Sequence, residues 1–302
     1  MKAVVLRAYG DADRLSYEDV EKPKPTIGEV LVKIAAASVN PIDWKLRSGA
    51  MRPFFPLDFP AILGRDLAGE VEELGPGVTE FTIGQRVMAL TDRAYAQYAV
   101  VKASDLAPVP ASMSLEQAAA VPLVTLTGAQ LIERGVKLKG GQALLLTGAV
   151  GGVGRTAAYV AGQHHVQVIA MVRAGQMAEA EKLGTLALLS LENEPGLDVF
   201  KEIDGVADTV GGAVAVNLLK HLRKGGVFAS VVGIPKEAKE YDIHCEQVVV
   251  KNDGARLAQL AKDVALNRFK VPIAKVMKLS EIREAHRLGE AGGVGGKIVL
   301  VP

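Results

Sequence analysis

The chain has 302 residues, and thirty-five Lys and Arg against thirty-four Asp and Glu leave a formal net charge of +1. That balance carries no electrostatic footprint for nucleic acid or an anionic membrane, and no apolar run approaches the length of a bilayer span. The length suggests two domains, and Cys245, the only cysteine, excludes an intrachain disulfide. The opening MKAVVLRAYG has too short an apolar run for a signal-peptide core and reads as a first strand, so a cytoplasmic protein is expected.

From residue 1 to about 102, short strand-like runs (2–6, 29–39, 67–74, 85–90 and 95–101) alternate with turn signals such as KPKP at 22–25 and GPG at 75–77. This spacing predicts a compact, mostly antiparallel β domain. Around Ser112 the pattern turns helical, with Ser112 or Ser114 as the cap. The reading places a β domain over 1–115, completed by 266–302, and an α/β domain over 116–265.

The α/β domain is organised around QALLLTGAVGGVG at 142–154. The leucines at 144–146 suit a strand covered on both faces. The turn then presents Ala149, Val150, Gly151, Gly152, Val153 and Gly154, with Ala149 replacing the first glycine of a G-x-G-x-x-G fingerprint. Gly151 lets the backbone approach a pyrophosphate, Gly154 lets the next helix pack closely, and that helix offers unpaired N–H groups. An alanine-rich helical stretch from 155 to 164 and an apolar strand at 166–172 complete a unit of the expected length.

Where NAD sites place Asp or Glu, about 20 residues beyond the turn, the segment reads MVRAGQ with no carboxylate. Arg173 can offer its guanidinium fork to a 2′-phosphate, which favours NADPH; the alternative is a solvated strand-end charge.

Beyond it, a helical segment around 177–183, strands at 186–189, 205–210 and 226–233, and a helix from about 212 to 223 give the alternation of a doubly wound parallel sheet. The stretch 190–203 is short for a whole crossover, and 246–251 reads as the last strand. A helix from 254, a strand at 273–278, a helix capped by Ser280 and the strand ending GGKIVLVP suggest that the chain returns to its first domain.

With these elements assembled, the chain resembles the medium-chain dehydrogenase/reductase superfamily and, within it, the zinc-independent quinone oxidoreductase branch. The resemblance rests on NPIDWKLRSG at 40–49, GRDLAGEV at 64–71, GVTEFTIGQRV at 77–87, AYAQYAVV at 94–101, the AVGGVG turn, DTVGG at 208–212 and GGKIVLV at 295–301. NPIDWK is particularly similar to plant alkenal/enone and chloroplast-envelope quinone oxidoreductase-like members. The resemblance implies an α/β fold with a Rossmann doubly wound parallel sheet and a GroES-like mostly β domain, NADPH as cofactor, a small quinone or enone as substrate, and a homodimer.

Where zinc-dependent members carry a Cys and a His-Glu pair, this chain has Asn40 and Arg65-Asp66. No metal site is therefore expected; His244 and Cys245 are strand neighbours facing opposite sides, without a third ligand. Hydride delivery to an already electrophilic acceptor needs proximity, orientation and oxyanion stabilisation rather than a Lewis acid.

By the resemblance, Asn40, Asp43 and Lys45 line the nicotinamide cleft. Lys45 would stabilise the product anion, and Asp43 would position Lys45 or a ribose hydroxyl. By spacing alone, this stretch reads equally as a polar turn with a solvated lysine. Trp44 reads as a packing residue, and Tyr95 as a packing β residue with a proton donor or stacking platform as the alternative. Thr127, Val210, Gly233, Ile234, Gly295 and Lys297 border the cofactor by resemblance, each with an architectural alternative. No residue stands out as the proton donor. A different class of function, an NADPH-binding sensor or scaffold without significant turnover, would not need Lys45.

Overall fold

The computed structural model describes residues 1–192, 200 and 202–302. They form two units, one from Met1–Leu123 with Asn252–Pro302 and one from Val124–Lys251.

The first unit opens with β1 (Lys2–Leu6), β2 (Leu15–Asp19) and the long β3 (Glu29–Ser38), followed by helix α1 (Pro41–Ser48). Then come β4 (Ala61–Ile62), β5 (Asp66–Leu74), β6 (Arg86–Leu90), β7 (Tyr98–Lys102), β8 (Leu106–Pro108) and α2 (Leu115–Ala119), with α3 (Pro122–Gln130) leading out. β3 pairs antiparallel with both β5 and β7, and β1 with β2 and β4. Val30, Val32, Leu67, Val71 and Val87 from these strands sit in one apolar cluster that also takes in Leu46 of α1. Ser114 caps α2 with a reciprocal Gln117 contact, as its sequence spacing predicts.

The residues after β3 form a helix where the sequence reads as a polar turn. Pro41 supplies the preset φ of a first helical position, and the Asp43 carboxylate accepts from the Asn40 N–H at 2.8 Å, one half of a capping box. Gly49 ends the helix in the left-handed conformation at φ 86°.

The second unit contains β9 (Ala143–Thr147), α4 (Gly152–Gln163), β10 (Gln167–Val172), α5 (Met177–Ala180) and β11 (Ala187–Ser190). β12 (Ile203–Asp208), α6 (Gly212–Leu218), β13 (Leu222–Ser230) and β14 (Ile243–Gln247) follow. Among the described residues the sheet order is β11-β10-β9-β12-β13-β14, and every pair is parallel. The order reverses direction at the β9/β12 boundary, the topological switch point of a doubly wound sheet. The short crossover expected over 190–203 lies largely outside the described residues. The last strand is β14, ending at Gln247, rather than 246–251; it pairs with β13 from Ile243 onward.

The chain then enters α7 (Gly254–Ala265), β15 (Ile273–Lys278), α8 (Ile282–Ala291) and β16 (Lys297–Val301). β16 pairs parallel with β15 and antiparallel with β3, so both chain ends build one sheet. α7, which the sequence reading assigned to the α/β block, groups with the β-rich unit. Asn252 donates to Asp105 at 2.8 Å just before it, and a Cβ on Gly254 would overlap the Leu106 carbonyl oxygen. Ser280 lies within a 3-10 turn preceding α8 and is not its cap; the Glu281 carboxylate there accepts from the Lys278 N–H at 2.8 Å.

Candidate active site

In the second unit the glycine turn runs from the end of β9 into α4. The cap position of α4 is Gly151, with no side-chain cap, which leaves the helix N-terminal amides available to a ligand. A Cβ on Gly154 would overlap the Gly148 carbonyl oxygen, so only glycine permits this approach of helix to turn. The Val150 carbonyl oxygen accepts from the Arg155 side chain at 2.8 Å, and Arg155 in turn reaches Glu179 at 2.7 Å, which fixes the outer side of the turn.

Asp208 joins three strand ends beside that turn. Its fully buried carboxylate accepts from the hydroxyls of Thr147 at the end of β9 (2.9 Å) and Ser230 at the end of β13 (2.8 Å). It also accepts from the N–H groups of Val210 and Gly211 at 3.1 and 3.0 Å. The Ser230 hydroxyl oxygen accepts from the Gly233 N–H at 3.1 Å. Val210 and Gly233 thus stand on turns held together at the C-terminal edge of the parallel sheet, where ligands of such sheets bind. Ile234 packs against the apolar core behind them. Thr127 on α3 has a buried hydroxyl without a partner among the described residues. An uncapped helix start, a glycine approach that a Cβ would block and an orphaned buried hydroxyl fit a dinucleotide.

Arg173 is exposed at the end of β10, where its sequence position puts it. The structure adds a carboxylate invisible to local spacing. Glu192, just past β11, accepts from the Ala174 N–H at 2.8 Å and from the Ser190 hydroxyl at 2.5 Å. These two bonds, with the positive charge of Arg173, hold its carboxyl below the usual glutamate range.

In the first unit a buried polar chain runs from β3 through α1 to β16. Asp66 Oδ2 accepts from the Ser38 hydroxyl at 2.7 Å and the Asn40 amide at 2.8 Å, while Oδ1 accepts from the Leu123 N–H at 2.7 Å. The Lys297 ammonium donates to Asn40 Oδ1 and to the Val39 carbonyl oxygen, and stands 3.3 Å from Asp66 Oδ2. Lys297, expected beside the cofactor, therefore directs its ammonium into this network. Gly295 lies in the exposed turn before it.

The Asp43 carboxylate makes no hydrogen bond to Lys45. Its Oδ2 is taken by the Asn40 N–H and by the Tyr95 hydroxyl, which donates at 2.7 Å, while its buried Oδ1 has no partner among the described residues. Tyr95 is fully buried and, besides packing, donates this hydrogen bond, which sequence alternation alone does not show. Burial pushes the Asp43 carboxyl up to about 7, against the hydrogen bonds from Tyr95 and Asn40 that favour its charge. Burial and the Asp43 charge raise the Tyr95 phenol well above its ordinary range. Lys45, on the same helix, is half-buried, and no hydrogen bond or ion pair engages its ammonium among the described residues. Trp44 packs against the apolar core, in van der Waals range of Gly289. Beyond Tyr95, Arg47 donates to His286 Nδ1 at 3.1 Å and pairs with Glu290 at 2.9 Å.

These side chains do not fit a divalent metal. Asp66 is already saturated by three neutral donors and faced by an ammonium, and Arg65 brings a cation paired to Asp92 at 3.1 Å. Among the described residues no group of three or more His, Cys, Asp and Glu side chains comes together, and Cys245 is exposed on β14.

Residues 26–111 match the alcohol dehydrogenase GroES-like domain, and residues 191–300 match a family described as zinc-binding dehydrogenase. The chloroplast envelope quinone oxidoreductase homolog of Arabidopsis thaliana is 35% identical over 100% of this chain and 98% of its own length. The solved quinone oxidoreductase from Coxiella burnetii superposes with a TM-score of 0.89 at 29% identity, covering 100% of this chain and 99% of that one. A mycobacterial protein solved in complex with NADPH superposes at 0.85 with 26% identity, covering both chains in full (100% each). No helix among the described residues is long and apolar enough to cross a membrane.

Proposed function

The chain belongs to the quinone oxidoreductase branch of the medium-chain dehydrogenase/reductase superfamily, and from that premise we propose an NADPH-dependent, zinc-independent reductase of quinones or α,β-unsaturated carbonyls. The observation that carries this reading is the Lys297 ammonium seated against Asn40 and Asp66. With that cation built into the protein, the Asn40 and Asp66 oxygens are spent, and an acceptor must bring its own electrophilicity. Quinones and enones do so; unactivated alcohols do not.

The turn at 149–154, Thr127, Val210, Gly233 and Ile234 would hold the dinucleotide, with Arg173 at its ribose. Bound NADPH supplies a hydride. Lys45 donates a hydrogen bond to the acceptor oxygen and stabilises the negative charge that develops there, because its ammonium has no competing partner among the described residues. Asp43 holds the start of α1 through the Asn40 N–H and so orients the helix that carries Lys45.

The test is oxidation of NADPH and NADH in metal-free buffer with chelator, across a benzoquinone, a naphthoquinone, an acyclic enone and a short 2-alkenal. Turnover with chelator present supports the reductase, and the preferred acceptor names its class. Clear NADPH binding with no turnover on any acceptor would replace it with a nucleotide-binding protein that does no chemistry.

A further inference from the structure

Glu192 reaches the end of β10 from the neighbouring strand. β10 and β11 are parallel, with Val172 opposite Ser190, and the Leu191 N–H donates to the Val172 carbonyl oxygen at 2.8 Å. That register carries the chain past Ser190 alongside Arg173. The carboxylate of Glu192 then bonds the Ala174 N–H and the Ser190 hydroxyl, both through Oε2. In a doubly wound sheet the end of the second strand is where the adenosine ribose is read, by a carboxylate for a 2′-hydroxyl or by a cation for a 2′-phosphate. This chain places one of each there, Arg173 and Glu192.

We propose that Glu192 is a specificity-determining residue that opposes the 2′-phosphate and accepts from the 2′-hydroxyl, so that it narrows the preference for NADPH over NADH that Arg173 sets. The inference rests on the dinucleotide reading given above. A phosphate dianion approaching the Arg173 guanidinium meets the Glu192 charge and must compete with that carboxylate for the Ala174 N–H. A 2′-hydroxyl makes no such demand: it donates to Glu192 while the carboxylate keeps its bond to Ala174. The Ser190 hydroxyl holds the carboxylate in place for either ligand, since Ser190 also accepts from the Glu192 N–H at 3.2 Å. The position lies eighteen residues from Ala174 along the chain and enters only through strand pairing.

The experiment measures binding of adenosine 2′,5′-bisphosphate and of 5′-AMP by calorimetry to the full chain, wild type against Glu192→Gln, Glu192→Ala and Arg173→Ala. A parallel measurement takes kcat/KM for NADPH and NADH. Both Glu192 variants are expected to shift the affinity ratio toward the bisphosphate by roughly two- to fivefold, the scale of an exposed charge pair. The NADPH-to-NADH ratio should move the same way, and Arg173→Ala should move both ratios in reverse. Unchanged ratios in both Glu192 variants, with both nucleotides still bound, would overturn the assignment and leave the dinucleotide site standing. If wild type binds neither nucleotide nor NADPH, the site itself is wrong and the assignment falls with it.

Discussion

The Lys297 ammonium stands 3.3 Å from the Asp66 carboxylate, with both side chains withdrawn from solvent, 9% and 0% exposed. The two residues are 231 positions apart, and their charges are each other's only close counterweight among the ion pairs described for either. Removing one partner strands the other charge in the interior. Lys297→Met and Asp66→Asn should each destabilise by about 3–5 kcal/mol, and the double variant by clearly less than their sum. Thermal or urea denaturation of the four proteins reads this directly; strict additivity would show that the pair does not interact.

Two buried groups impose opposite pH dependences. The folded His286 ring is pulled down to about 3, first by burial and then by the Arg47 charge, against 6.5 when free. Its contribution is present above pH 6.5 and is lost as acid is added toward 3. Asp43 runs the other way: its folded value near 7 exceeds the free 3.8, so its contribution is fully present below about pH 4 and is lost as pH rises through 7. Between about pH 4 and 6.5 the two slopes, each about 1.4 kcal/mol per pH unit, cancel. Asp43→Asn should therefore uncover stability that rises with pH in that window, and His286→Gln stability that falls. Parallel pH profiles for the two variants would refute these assignments.

Lys45→Met should lower kcat by about 10²–10³ if Lys45 is the donor to the developing oxyanion, with NADPH affinity unchanged. Stopped-flow single turnover separates the two quantities. A variant with wild-type kcat would remove Lys45 from the chemistry.

Asp208→Ala takes away one acceptor that gathers four donors, two from the ends of β9 and β13 and two from the turn after β12. Dinucleotide binding should weaken at least tenfold and stability should fall by about 3 kcal/mol, because the donors are left unsatisfied. Fluorescence titration with NADPH, set beside a denaturation curve, measures both.

Sequence patterning makes the parallel sheet, its glycine turn and the return of the last strand legible, because each leaves a local signature: continuous apolar runs, Gly151 and Gly154, and the apolar run at 298–301 after a pair of glycines. α1 escapes because Asn40-Pro41 has the composition of a turn, although Pro41 and Asp43 equally suit a helix start. Asp43 is legible as a site residue, beside Lys45 or a ribose hydroxyl, but its bond to Tyr95 is not. Tyr95 is 52 residues away, and no periodicity links them. Glu192 escapes for the same reason, since the fingerprint scans along one strand whereas this carboxylate arrives from the next.

The β-rich unit is discontinuous, and β16, which pairs with β3 and brings Lys297 to Asp66, is synthesised only after the whole of 124–251. Residues 124–251 are contiguous, and the strands described there have all their partners among themselves once residue 251 has emerged. Of the two units, the one that starts first is completed second: β3 and β5 wait, with an unneutralised Asp66, until β16 has been made. A chain stopped before Lys297 keeps every glycine of the 148–154 turn yet leaves that carboxylate without its cation, so premature termination turns an early buried charge into a fault for quality control to find.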